Sequence, residues 1–183
     1  QARLRIQALE DRDHAALAVI GMGCRFPGAA TPLAFWQNLV AGHDAITEVP
    51  PDRWDAAALY SPTPTPGKMN TRWGGFLEQI DHFDAAFFGI SGREAPAIDP
   101  QQRLLLEVAW EAIEDAGIDP HRLAGSPTGV FIGISSNDYR RLQQGTPHEV
   151  SPYAGVGNAL SITANRISYV LDLRGPSLAI DTA

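Results

Sequence analysis

The residues best placed to do chemistry lie at the carboxyl end of the sequence. The stretch Ser177 to Asp181 is apolar enough to predict a short buried strand, and the polar step Asp181-Thr182 follows at its end. Open α/β sheets carry their reactive groups where such strands end and the chain turns tightly. We therefore expect the decisive residue to lie just past Ala183.

A second polar step, Asn165-Arg166, interrupts the apolar helix that the sequence predicts from about Asn158 to Leu171. Polar side chains inside such a helix need hydrogen-bonding partners. A buried Arg must be paired, for example with Asp172 or Asp181. The sequence leaves two roles open for Asn165 and Arg166, which are structural bracing of the fold and contact with a substrate.

The glycines of Gly21-x-Gly23 follow a predicted strand and are typical of dinucleotide-binding turns. Phe26 occupies the third glycine position, however, and the next helix begins only near Pro32. We expect the turn to need small residues for packing. The glycine pattern therefore gives only weak support to a nicotinamide-binding oxidoreductase.

Nucleophilic and metal-ligating residues are sparse. Cys24 is the single cysteine, and a lone cysteine beside a strand is typically a small core side chain rather than a nucleophile. The five histidines show no metal-ligand spacing, which predicts surface positions and no metal site. They are His14, His43, His82, His121 and His148.

The elements that position these residues alternate between strands and helices. Leu17 to Gly23 and Thr128 to Ser135 are predicted buried strands. Thr31-Pro32 starts a helix that Gly42 ends, and Asp99-Pro100 starts a longer helix that Gly117 ends. This alternation indicates the α/β class, with a largely parallel sheet and helices on its faces.

The remaining segments are less regular. Residues 1–14 form either a short amphipathic helix or a linker, and the Pro-rich residues 43–72 form a long surface excursion. The patterns Ser91-x-x-Glu94 and Asp99-x-x-Gln102 have capping-box form. Five aromatic residues fill a satellite core or an interface. They are Trp73, Phe76, Phe83, Phe87 and Phe88.

Composition limits the function further. The chain has 183 residues, enough for one domain or slightly more, and its formal net charge of −7 argues against nucleic-acid binding. It contains no apolar run of the roughly 18 residues that span a bilayer, so no membrane contact is expected. A single cysteine is typical of a reducing, cytoplasmic setting.

Five long stretches carry a resemblance to a known family. From about Ala18 to its end the chain resembles the N-terminal half of the β-ketoacyl synthase (ketosynthase) domain of modular type I polyketide synthases, in the thiolase-like superfamily. The stretches are AVIGMGCRFPG (18–28), TRWGGFLEQIDHFDAAFFGIS (71–91), DPQQRLLLEVAWEAIEDAG (99–117), GVFIGISSNDY (129–139) and ANRISYVLDLRGPSLAIDTA (164–183).

The resemblance implies a thiolase-like α-β-α-β-α layered fold, of which this chain is the first half of the duplicated core. Residues 1–16 are then a linker or lead-in helix, and residues 17–183 end just before the catalytic cysteine. In the family that cysteine directly follows the motif DTA, so Asp181, Thr182 and Ala183 frame the active site. Two catalytic histidines belong to the second half, and none of the histidines here is assigned their role.

The implied reaction makes the enzyme an acyltransferase. The cysteine accepts an acyl chain, and a carrier-bound malonyl-type extender then decarboxylates and condenses with it in a Claisen reaction. No cofactor is bound, because the acyl carrier protein supplies the phosphopantetheine arm. The fragment alone is expected to be inactive.

The resemblance also implies partners and a substrate tunnel. The partners are the acyl carrier protein, the C-terminal half of the ketosynthase, neighbouring synthase domains and a second copy in a homodimer. The tunnel candidates are Tyr153, Gly157 and Asn158, and we expect the segment Tyr153 to Asn158 to influence which acyl chains are accepted. The alternative function is a non-condensing relative, either a tunnel-shaping partner or a decarboxylating starter domain.

Overall fold

Residues 16–147 and 149–182 are described by a computed structural model and form six helices and four short strands. The helices are α1 (Pro32–Ala41), α2 (Ala56–Leu59), α3 (Pro100–Asp115), α4 (Asp138–Leu142), α5 (Ala154–Asn158) and α6 (Ile162–Val170). The strands are β1 (Thr47–Glu48), β2 (Trp73–Gly74), β3 (Val130–Gly133) and β4 (Ser177–Ile180). Single 3₁₀ turns occupy Ala95–Ala97 and Pro120–Arg122. The predicted lead-in segment, residues 1–16, lies outside the described residues except for residue 16. The same is true of His14, which belongs to that segment, and of His148 and Ala183.

The parallel sheet predicted from the alternation is present as a pair of strands. β3 and β4 run parallel, in a register that places Val130 opposite Ser177 and Gly133 opposite Ile180. α6 lies between them in the sequence and packs against both. β1, near the start of the long excursion, forms a separate two-residue antiparallel pair with β2, which follows the end of that excursion directly. The excursion is otherwise mostly irregular.

The core lies between α3, α6 and one face of the β3–β4 pair. Apolar side chains from the segment before α3 complete it. Its buried members are Phe88, Ile90, Ile98, Leu106, Val130, Ala164, Ile167 and Leu171. The opposite face of the strands exposes Phe131, Leu178 and Ile180, so only alternate residues of the predicted buried strands are covered.

Helix ends follow the predicted signals closely. Thr31 Oγ1 accepts a hydrogen bond from Ala34 N at 3.2 Å, and Gly42 ends α1 in the left-handed region with φ 63°. Asp99 Oδ1 accepts from Gln101 N at 2.8 Å at the start of α3. The second half of the predicted capping box is wrong, because Asp99 N donates to Gly157 O at 2.8 Å rather than to Gln102.

The predicted strand at Leu17 to Gly23 is wrong for the described structure. This stretch has no regular secondary structure, and Leu17 is 96% exposed. A strand exists only when a neighbour accepts and donates its backbone hydrogen bonds, and no described strand pairs with it. It lies instead against α3, where Met22 N donates to Asp115 Oδ2 at 2.8 Å.

The glycines in that stretch serve packing, as the sequence predicted. A methyl group placed on Gly21 would lie 2.2 Å from the Ala112 carbonyl oxygen, and one on Gly23 would lie 2.5 Å from that of Val108. Both contacts are in the body of α3, far from its N-terminus. This geometry fits close packing and does not fit a pyrophosphate-binding turn.

The aromatic segment divides between core and surface. Phe88 is buried, stacks on Phe83 with ring centroids 5.5 Å apart, and meets Trp110 edge-on. Trp73 and Phe87 remain more than half exposed, although Phe87 also contacts Trp110. Phe88 therefore belongs to the main core and Phe83 packs against it, so these two rings do not form the predicted satellite core.

The final helix is shorter than predicted. The stretch from Asn158 to Leu171 is interrupted at Ala159, whose backbone is extended with ψ 120°. α5 therefore ends at Asn158, and α6 begins at Ile162. The interruption separates the tunnel candidates from Arg166.

Candidate active site

The segments that carry the candidate residues converge at the carboxyl edge of the β3–β4 pair. Ile134 N donates to Ile180 O at 3.1 Å, which keeps the two strand ends together. Gln101 Nε2 donates to Ser136 O at 3.0 Å and so ties the loop after β3 to the start of α3. Asp99 N binds Gly157 O and adds α5 to the same region.

Asp181 and Thr182 lie just past β4 and are exposed. They stand at the strand end where an open α/β sheet presents reactive groups. Their predicted framing role is compatible with this location, and Ala183 lies outside the described residues.

The three tunnel candidates have different surroundings. Tyr153 is half-buried at the start of α5, whereas Gly157 and Asn158 are buried. Asn158 lines a cavity of about 420 Å³ together with Gln143 and Ala154. Gly157 faces the other way and packs against the backbone of Ala97.

Asn158 is held by its amide group. Its Nδ2 approaches three acceptors, Gln143 Oε1 at 2.8 Å, Ala154 O at 2.9 Å and Ala97 O at 3.3 Å. Three acceptors around one atom assign that atom as the nitrogen. Its Oδ1 is buried without a donor among the described residues, so this acceptor is unsatisfied behind the wall of the cavity.

Arg166 is paired, as expected of a buried cation, but its partner differs from both predicted carboxylates. Its Nη1 lies 2.9 Å from Glu94 Oε1, and its Nε donates to Gln102 Oε1 at 2.8 Å. Asp172 instead pairs with the exposed Arg174. Asn165 is exposed on α6, so it needs no buried partner. The geometry around Arg166 is that of structural bracing.

Gln102 is the site residue that sequence reasoning missed. Its Nε2 donates to Gly157 O at 3.0 Å and lies 3.4 Å from Ala159 O. The capping-box pattern drew attention to this position but predicted the wrong partner, because the true acceptors are more than fifty residues away in the chain.

Arg103 is a further buried polar residue near the site. Its guanidinium lies 5.8 Å from the centre of the Tyr139 ring, and its Nε has no acceptor among the described residues. It lines a second cavity, of about 640 Å³, with Phe83, Pro96 and Asp99. No sequence signal pointed to it, since Arg103 looks like an ordinary polar position on an amphipathic helix.

The remaining reactive residues lie apart from this edge. Cys24 is a half-buried free thiol in the segment that runs along α3. His43, His82 and His121 are exposed, as predicted. Within residues 16–147 and 149–182, no three His, Cys, Asp or Glu side chains are grouped so that they could hold a metal ion.

Charged residues on α3 form a cluster with Arg25. Arg25 makes a bidentate ion pair with Glu111, in which Nη1 lies 2.5 Å from Oε2. Burial raises the pKa of the neighbouring Glu107 above its ordinary value, and the positive charge of Arg25 opposes this shift. The fold therefore disfavours the ionised form of Glu107.

Replacing Glu107 with Gln is expected to raise the melting temperature slightly at neutral pH. Because its pKa is higher in the folded state, the folded protein favours the protonated side chain. The stability that the protonated Glu107 contributes is fully present below the pKa of an unfolded glutamate. It is lost as the pH rises through the higher pKa that Glu107 has in the folded state. The difference between variant and wild type should therefore shrink on acidification, as followed by thermal unfolding across that range.

Glu78→Gln is the matched control for this measurement. Glu78 is exposed in the wall of the cavity that Glu107 also lines. Its replacement should leave the melting temperature unchanged at each pH. A loss of stability in Glu107→Gln at neutral pH would contradict the prediction.

A membrane-spanning helix is not found among the residues that the structure describes, since none of their helices is long and apolar enough.

Known proteins resemble this chain over nearly all of its length. Residues 15–183 match the family described as "Beta-ketoacyl synthase, N-terminal domain". A phenolphthiocerol/phthiocerol polyketide synthase component of Mycobacterium tuberculosis is 57% identical over 169 residues, which are 91% of this chain and 11% of that protein. The phthioceranic/hydroxyphthioceranic acid synthase of Mycobacterium bovis is 50% identical over 169 residues, or 91% of this chain and 8% of its own.

Solved structures give the same result. The oxazolomycin ketosynthase domain OzmH KS7 of Streptomyces albus JA3453 matches with a TM-score of 0.80 and 39% identity, covering 90% of this chain and 29% of its own. The ketosynthase from module 6 of the bacillaene synthase of Bacillus subtilis 168 matches with a TM-score of 0.78 and 38% identity, covering 90% and 26%. These matches confirm the family resemblance that the sequence indicated. The chain spans about a tenth of the length of the curated relatives it matches. The chain belongs to the β-ketoacyl synthase family and forms part of its N-terminal domain.

Proposed function

We propose that this chain is part of a condensing ketosynthase, an acyltransferase that extends acyl chains in polyketide biosynthesis. The observation that carries the proposal is the family match over residues 15–183. The 57% identity to a mycobacterial polyketide synthase and the likeness to two polyketide ketosynthase domains support the same assignment. The proposed fold is the five-layered thiolase-like arrangement, with β3 and β4 in one of its sheets.

The proposed nucleophile is a cysteine directly after Ala183. At the end of β4 it would attack the thioester of an incoming acyl chain, so that an S–acyl bond forms and the carrier thiol leaves. The malonyl-type extender then loses CO₂, and the resulting carbanion attacks the acyl-enzyme carbonyl. A C–C bond forms and the cysteine thiolate is released. Asp181 and Thr182 would frame the nucleophile from the adjoining strand end.

The proposal requires no bound metal or redox cofactor, because the phosphopantetheine arm arrives on the acyl carrier protein. The two catalytic histidines would come from the second half of the ketosynthase. The proposed assembly is a cytoplasmic homodimer that contacts neighbouring synthase domains. This chain covers only 11% and 8% of two of its relatives, which are therefore long enough to contain many further domains. Their length supports the proposed contact with neighbouring synthase domains.

The test uses the intact protein and a synthetic acyl thioester. We expect mass spectrometry to find one acyl group on the peptide that follows Asp181-Thr182-Ala183, and Cys→Ala at that position to abolish both acylation and condensation. Absence of acylation in the wild type would contradict the proposal. Decarboxylation of malonyl thioester without any C–C product would identify the non-condensing alternative instead.

A further inference from the structure

Gln102 connects two buried parts of the candidate site through the two ends of its amide. It is 2% exposed. Its Nε2 lies 3.0 Å from Gly157 O, 3.4 Å from Ala159 O and 3.5 Å from Val156 O. Its Oε1 accepts from Arg166 Nε at 2.8 Å. Since acceptors surround one end and a donor meets the other, the orientation of the amide is fixed.

The far end of this connection is anchored by an ion pair. Arg166 Nη1 binds Glu94 Oε1 at 2.9 Å, and the Arg166 side chain is 10% exposed. α6 holds Arg166 in the core next to the buried Ala164 and Ile167. Gln102 is thus fixed on the side of α6 and offers its donor group to α5.

α5 lies between Gln102 and the cavity of about 420 Å³. Ala154, Gly155 and Asn158 line that cavity, whereas the carbonyls of Val156 and Gly157 are turned to Gln102. A five-residue helix is too short to be stable by itself, so tertiary contacts decide where it lies. The bonds from Gln102 are among the contacts that set the position of this cavity wall.

The cavity suits a chain that bears oxygen atoms. Polar side chains form much of its wall, among them Gln144, Glu149 and Ser151. A hydroxyl group could form a hydrogen bond with such side chains, whereas an alkyl chain could not. A displacement of α5 should therefore change the uptake of hydroxylated and plain acyl chains unequally.

We propose that Gln102 is a positioning residue for substrate selection: by holding α5, it sets which acyl chains the site accepts. The proposal rests on the ketosynthase function proposed above. Gln102 does not touch the reacting atoms, and it acts only through the backbone of α5.

The experiment measures acylation of the intact protein by two N-acetylcysteamine thioesters, octanoyl and 3-hydroxyoctanoyl. The readout is the ratio of their kcat/KM values. Gln102→Leu removes both hydrogen-bonding ends of the amide. Gln102→Glu keeps an acceptor for Arg166 but has no hydrogen to donate to the carbonyls of α5. Both variants should change the ratio by about tenfold, the effect expected for one or two lost hydrogen bonds in a buried site.

Asn165→Ala is the matched control, because Asn165 is the exposed neighbour of Arg166 on α6. It should leave the ratio unchanged. If wild type and control are acylated but both Gln102 variants keep the wild-type ratio, the proposal is overturned, even where their melting temperatures fall. If the wild-type protein is acylated by neither thioester, the proposed function itself fails.

Discussion

Gly157→Ala is expected to lower the free energy of unfolding by about 2 kcal/mol, in the range typical of overpacked buried sites. A Cβ at this position would lie 2.2 Å from the Ala97 carbonyl oxygen, 2.8 Å from its carbonyl carbon and 3.1 Å from Ile98 Cα. All three are backbone atoms, so no side chain can rotate away. Either α5 or the turn before α3 must move.

The expected loss is the balance of two effects. Alanine favours a helix over glycine by up to about 1 kcal/mol, and Gly157 lies in α5 outside the left-handed region. Propensity alone would therefore make the substitution stabilising. The steric overlap has to exceed that gain, and it must also lengthen the bonds that Gly157 O accepts from Asp99 and Gln102.

Gly155→Ala separates these two effects. Gly155 lies in the same helix, and a Cβ there would meet nothing within 4 Å. Its substitution should leave the stability unchanged or raise it by up to about 1 kcal/mol. Chemical denaturation of both variants gives the comparison. Equal stability of Gly157→Ala and wild type would contradict the close approach of α5 to the Ala97 backbone.

The ends of the helices were predicted well, because they depend on local sequence signals. Thr31 and Pro32 begin α1, Gly42 ends it, and Asp99 begins α3. Thr31 and Asp99 each accept a hydrogen bond from a backbone N–H two or three residues away, and Gly42 adopts the left-handed backbone itself. Such signals can be read directly, because cap geometry depends on residue type and short spacing.

The pairing of strands from distant segments was difficult to predict from the amino-acid sequence. The apolar run at Leu17 to Gly23 has the composition of a strand, yet no described strand pairs with it. Composition indicates the preference of a segment, whereas a strand also depends on a neighbour elsewhere in the chain. The parallel pairing of β3 and β4 was predictable because a helix lies between them in sequence.

The same distinction applies to the candidate site. The need for a partner at Arg166 followed from its apolar flanks, but the partner, Glu94, is 72 residues away. The nearby carboxylate Asp172 was the natural expectation from sequence. Gln102 was recognised only as a helix-capping residue, because its contacts with α5 cross 55 residues of chain.

Arg166→Met is expected to cost about 3 kcal/mol of unfolding free energy, because removing one partner of a buried ion pair strands the other. Methionine preserves most of the aliphatic stem but leaves Glu94, which is 23% exposed, without its cation. It also leaves Gln102 Oε1 without its donor. The partial exposure of Glu94 keeps the loss toward the lower end of the range for buried pairs.

Arg174→Met is the matched control, since Arg174 pairs with Asp172 at 2.6 Å while both side chains are more than half exposed. An exposed pair contributes at most about 1 kcal/mol, so the same substitution should have a much smaller effect there. Combining Arg166→Met with Glu94→Gln should cost less than the two single losses together, by about 1 to 3 kcal/mol, because the double variant strands no charge. Strict additivity would mean that Glu94 and Arg166 do not interact, and Arg166 would then hold Gln102 without the support of an ion pair.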